Sequence, residues 1–110
     1  MAKASYWQRG ESIDYTNGGS SKIDANTVIP FGARIGVVGT DIAAGETGSL
    51  IVAGVFELPK ASGAITAGAV VYWDATNSNI TTTSTDNTAA GFAVAAAESG
   101  DETVLVKINA

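Results

Sequence analysis

The chain has 110 residues, a net charge of −5 and a charged fraction of only 15%. A domain of this length buries roughly two-thirds of its unfolded surface, so its core needs no covalent staple. The absence of Cys and His removes disulfides, thiol nucleophiles, thiolate metal sites and histidine bases. Six cations against eleven acids make a poor binder of phosphate backbones. No apolar run is long enough to span a bilayer, and the first residues lack the apolar core of a signal peptide. The expectation is a protein made in the cytoplasm that binds neither nucleic acid nor membrane.

In chain order, residues 1–10 are polar and basic, with Lys3 and Arg9 around Tyr6 and Trp7. They read as an arm or a short first strand. Glu11–Tyr15 alternates with Ile13 and Tyr15 on one face, which predicts a strand. Asn17-Gly18 lies in a turn. Val28-Ile29 is a short apolar stretch that Pro30 should stop. Arg34–Gly39 predicts a buried strand, and Ile42–Glu46 a compact turn. Gly48–Leu58 is the longest strand signal, with Gly54 expected as a bulge or a bend at a barrel corner and Pro59 as its end.

Ala69–Trp73 predicts another strand, and Ile80–Thr83 the return strand of a protruding hairpin. Ala89–Glu98 is rich in Ala, a strong helix former, but Gly91, Phe92 and Val94 make no helical stripe, so a strand is assigned. Thr103–Ile108 alternates strictly and closes the chain. Turn signals about every ten residues predict one all-β domain, a small barrel-like fold or β-sandwich.

The sequence repeats itself. Ile23-x-Ala-x-x-Val28 returns as Ile65-x-Ala-x-x-Val70, and Gly36, Gly45 and Leu50 return as Gly91, Gly100 and Leu105. The second shift exceeds the first, which places extra residues between Tyr72 and Thr88. Two similar β units are expected, over 23–58 and 65–109.

Catalytic templates fail one by one. Gly18-Gly19-Ser20-Ser21-Lys22 has the wrong order for a phosphate-binding loop. Ser21 and Lys22, as neighbours on an extended chain, point to opposite faces. Asp101 and Glu102 read as a solvated turn pair rather than a glycosidase dyad. Asp41, Glu46, Asp74, Asp86 and Asp101 offer oxygen ligands without EF-hand spacing, and read as solvated turn acids. Tyr72-Trp73 could form a stacking platform for a glycan, although one core ring and one edge ring is the ordinary reading. No catalytic, cofactor or metal residue is expected, and the chain is not read as an enzyme. Low charge, small side chains and strand edges suit an interaction role.

Several blocks also look familiar: Tyr6-x-Gln8-x-Gly10-Glu11-x-Ile13-Asp14-Tyr15-Thr16, Gly54-Val55-Phe56-Glu57-Leu58-Pro59-Lys60, Val71-Tyr72-Trp73-Asp74 with Ile80-Thr81-Thr82-Thr83, and Gly91-x-Ala93-x-x-Ala96. Together they resemble the phage capsid cement, or head decoration, proteins along nearly the whole chain. The resemblance implies a small β domain on the capsid surface of a phage or prophage virion, partnered with the major capsid protein and often trimeric. Some members of that family carry the label of RecA/RadA-type phage recombinases. A nucleotide-dependent recombination factor would need a phosphate-binding loop and a far larger domain. Under the resemblance, Lys3, Tyr6, Trp7 and Arg9 are the expected capsid or subunit contact.

Overall fold

Small β-branched and apolar side chains alternate with polar ones along most of the chain, and this period suits strands buried on one face. The computed structural model describes residues 2–110 and contains nine strands. They are β1 (Ser12–Thr16), β2 (Val28–Phe31), β3 (Arg34–Val38), β4 (Thr47–Ile51), β5 (Val55–Pro59), β6 (Val70–Asp74), β7 (Asn79–Thr81), β8 (Thr88–Ala93) and β9 (Thr103–Ile108). The strands form two antiparallel sheets, ordered β1-β4-β3-β2 and β5-β9-β8-β6-β7. The sheets pack as a sandwich; there is no closed barrel. The Ala-rich segment at 89–98 contributes β8 and no helix.

The two sheets share one plan. Strands β1, β2, β3 and β4 occupy the places of β5, β6, β8 and β9, each set in Greek-key order. The loops agree as well: the bridge Ile23–Ile42 matches Ile65–Ala97, and Asn26 N donates to Val38 O as Gly68 N donates to Ala93 O, each at 2.7 Å. β7 is the addition, an edge strand paired to β6. Its Ile80 is fully buried, so the hairpin lies along the sheet and only its tip around 75–78 is exposed.

Three expectations are corrected. The long strand signal over 48–58 is two strands in different sheets, with Val52, Ala53 and Gly54 as the crossover. Gly54 has φ 121° there, a conformation that favours glycine. β5, read as the end of the first repeat, therefore begins the second sheet. Pro30 does not stop β2; it sits within it, which is possible because β2 is an edge strand and needs no amide on its outer side. Third, Leu50 does not match Leu105. Val38 pairs Leu50 whereas Ala93, its counterpart, pairs Val106. The turn before β9 is one residue longer, and a shift of one residue exchanges the faces of a strand. Leu50 and Val106 are both buried, and Leu105 is exposed.

The matched glycines Gly36 and Gly91 are fixed by different contacts. A Cβ on Gly36 would collide with the Leu50 side chain, and one on Gly91 with the backbone of Lys107. Gly91 also has φ 130°.

The main core combines Ile35 and Val37 of the first sheet with Leu58, Val71, Trp73, Ile80, Val104, Val106 and Ile108 of the second. A smaller cluster of Val38, Ile42 and Leu50 lies on the other side of the first sheet. The buried polar residues are Asn17 and Lys60, which stand at corresponding places just after β1 and β5. The Asn17 amide donates to Ser21 O and Ile42 O at 2.8 and 3.0 Å. The Lys60 ammonium donates to Ala61 O and Ser99 O at 2.9 and 3.4 Å. Each buried polar side chain is thereby satisfied by backbone carbonyls of the neighbouring loops.

Asn109 joins the two sheets. Its Oδ1 accepts from Ile35 N at 3.1 Å, and its Nδ2 donates to Ile35 O and Val52 O at 2.7 and 2.9 Å. Its φ of 59° is one that Asn tolerates better than most residues. Asn109→Gly keeps that backbone and deletes all three bonds, at about 1 kcal/mol each. The expected loss is about 2–3 kcal/mol, read as a fall of roughly 10 °C or more in Tm. Asn109→Ala should lose more, because it adds backbone strain.

Candidate functional site

The arm is set apart by charge and by the lack of a partner. Residues 2–10 contain Lys3 and Arg9 and no acid. All eleven acids and the other four cations lie beyond them, so the arm carries +2 and the rest of the chain −7. Residues 2–11 have no strand or helix and are exposed throughout. One side-chain bond ties them to the body, from Gln8 Nε2 to Ser12 O at 3.4 Å. Gly10, at φ 82°, turns the chain into β1.

The structure places Lys3, Tyr6, Trp7 and Arg9 together on this arm, all exposed. Tyr6 and Trp7 keep 84% and 89% of their surface in water. Uncovered Tyr6 and Trp7 and the neighbouring Arg9 are of the residue types that anchor protein interfaces. The alternative of a short first strand is excluded, because the arm pairs with no sheet.

Two of the clefts among the described residues bear on the arm and the first sheet. One, of about 210 Å³, lies at the base of the arm and is lined by Gln8, Arg9, Gly10, Glu11 and Ser12. The other, of about 250 Å³, is lined by Ile13, Phe31, Arg34, Val52 and Asn109. Both fall below the range of roughly 300–1,000 Å³ typical of small-molecule sites.

The acids do structural work in turns. Asp41 Oδ1 accepts from Ala25 N at 2.8 Å. Asp74 accepts from Thr76 N, Asn77 N and Asn77 Nδ2 at 2.9, 3.2 and 2.8 Å. Asp101 accepts from Glu98 N at 2.7 Å. For Asp41 and Asp74 these bonds stabilise the charged carboxylate. Asp41 is held below the usual carboxylate value by the Ala25 amide first and Lys22 second. Asp74 is lowered mainly by the Asn77 side chain and backbone. Among the described residues no three acids converge as metal ligands would.

Lys22 lies between Asp24 and Asp41, at 3.3 and 3.6 Å. Its proton is held more tightly than usual, chiefly through the Asp24 hydrogen bond, whereas a lysine base needs the opposite shift. The Tyr72-Trp73 platform does not form. Trp73 is 6% exposed and belongs to the main core, while Tyr72 is half-buried at the surface of the sheet. Neither Asn109 nor the matched pair Asn17 and Lys60 was visible as a structural device in the sequence, because each also bonds a carbonyl 25 or more residues away: Ile42 O for Asn17, Ser99 O for Lys60 and Ile35 O for Asn109.

A sequence model described as phage cement protein matches residues 7–108. The chain belongs to the phage cement protein family. Comparison with curated proteins and with solved structures returns no match. The cement family is a structural one associated with the phage capsid. The matched span includes Trp7 and Arg9 of the arm and begins after Lys3 and Tyr6.

Asp41 and Asp74 titrate lower in the folded cement protein than the ordinary 3.8. Their stabilisation is therefore complete above that value and is lost as pH falls through their lowered midpoints. Asn77→Ala should move the Asp74 midpoint up towards 3.8, followed by carboxyl NMR. Stability should also fall less steeply below about pH 4 than in the parent protein, because less of the Asp74 stabilisation remains to be lost.

Proposed function

We propose that this cement protein sits on the outside of an assembled phage head as a homo-oligomer. There it bridges neighbouring capsomers and grips the major capsid protein through Lys3, Tyr6, Trp7 and Arg9. The protein is made in the host cytoplasm and joins the head there. The observation that carries this reading is the arm: a cationic segment with two bare aromatics, attached to an acidic body and held to it, among the described residues, by a single side-chain bond.

The mechanism follows from linkage. A protein that binds only the closed lattice stabilises it by mass action. Many identical weak contacts over one shell act together as avidity. The body needs no moving part, and its role is to hold several arms at fixed spacing. Trp7 and Tyr6 supply apolar area on the capsid, and Lys3 and Arg9 orient the approach.

Deleting residues 2–9 should abolish binding to heads that lack the protein, measured by co-sedimentation. The circular dichroism and Tm should be unchanged, since the arm contributes no core side chain. Trp7→Ala alone should weaken binding roughly 30-fold, the effect of an interface anchor worth about 2 kcal/mol. Undiminished binding by the truncated protein would overturn the role of the arm.

A further inference from the structure

We propose that the outer face of the five-stranded sheet is where a second copy of this chain docks, head to tail, by repeating the contact that joins the two sheets inside one molecule. This rests on the homo-oligomer part of the reading above and is independent of the arm.

Corresponding rows run across the two sheets. In the first sheet, Val28 pairs Val37 and Val37 pairs Ile51. In the second, Val70 pairs Phe92, Phe92 pairs Lys107 and Lys107 pairs Val55. The first row is covered: Val37 is buried in the main core, and Val28 and Ile51 pack against it. The second row is open, with Val70 and Val55 at 60% and 53% exposure. Leu105 and Val94 are also exposed, and Val94 N donates to Leu105 O on the adjoining strand. In the folded body these four account for every exposed large apolar side chain but Phe31. Such a concentration marks an interaction surface rather than scattered exposure.

The exposed state of the second row also fixes the geometry. Inside the chain, the first row does not meet its own counterpart, so the contact joins two different faces. Repeating it sets the open row of one molecule against the opposite side of the first sheet of the next. That side carries the half-buried Ile13, Tyr15 and Ile29 and the exposed Phe31. The apolar cleft of about 250 Å³ with Arg34 in its wall opens there. Glu57, paired with Leu105 beside the open row, is opposite in charge to Arg34 on the facing surface, and the Tyr15 hydroxyl of that surface offers an acceptor to Lys107 in the row itself. A contact between unlike faces either closes into a ring or grows without limit, and a defined oligomer corresponds to a closed ring.

The test is sedimentation velocity on the full chain across micromolar concentrations, for the parent, a Val70→Lys/Leu105→Lys variant and the arm-deleted chain. Both substitutions are at exposed positions, and circular dichroism with a melt establishes that the variant is folded. The expected result is an oligomer of defined size for the parent and the arm-deleted chain. The lysine variant should dissociate at concentrations at least tenfold higher than the parent. Arg34→Glu should weaken association, and Glu57→Arg added to it should restore part of the loss. A monomeric parent, or lysine variants that associate as the parent does, would overturn the proposal. So would an oligomer that depends on the arm instead. The capsid role of the arm fails separately, through undiminished head binding by the arm-deleted chain.

Discussion

Val28, Val37 and Ile51 form the row on which the two sheets of this protein meet. A sheet with one apolar face must bury that face against another element. Here that cover is supplied within the chain. The first sheet keeps only a three-residue buried cluster of its own, while thirteen buried residues make up the shared core. Alternation then decides everything else: each residue that enters the shared core forces its neighbours onto the opposite side. Asn109 completes the joint by bonding both backbone groups of Ile35.

Repetition of a strand plan does not require repetition of its chemistry. Asn17 and Lys60 fill the same place and perform the same service for loop carbonyls with unlike groups. Gly36 makes room for a side chain, whereas Gly91 makes room for a backbone. Each unit has adjusted its side chains to a different neighbour, while the hydrogen-bonding frame has stayed the same. That frame belongs to a member of a structural capsid family.

The parts of the fold legible in the sequence are those where polarity alternates. Thr103–Ile108 is read to the residue, because every second side chain is buried. The crossover at Val52–Gly54 was hidden inside an unbroken apolar run, where nothing in composition separates a bend within one sheet from a passage between two. Matching Leu50 to Leu105 by identity failed for a related reason: the similarity of the letters concealed one extra residue in the preceding turn. Asn109 acts on a partner 74 residues earlier in the chain, and no local pattern reports such a bond. The arm was legible, since a basic segment with two aromatics and no acid stands out against an acidic chain. Its isolation from both sheets became visible only in three dimensions.

Where the first row has Ile51, the open row has Lys107. An ammonium at that point allows close approach only to a surface that can supply an acceptor for it, and leaves stray apolar edges unable to dry the face. Natural sheets use lysine in this way against indiscriminate aggregation. The open face is thereby closed to indiscriminate apolar contact while it remains available to a partner that offers Lys107 an acceptor.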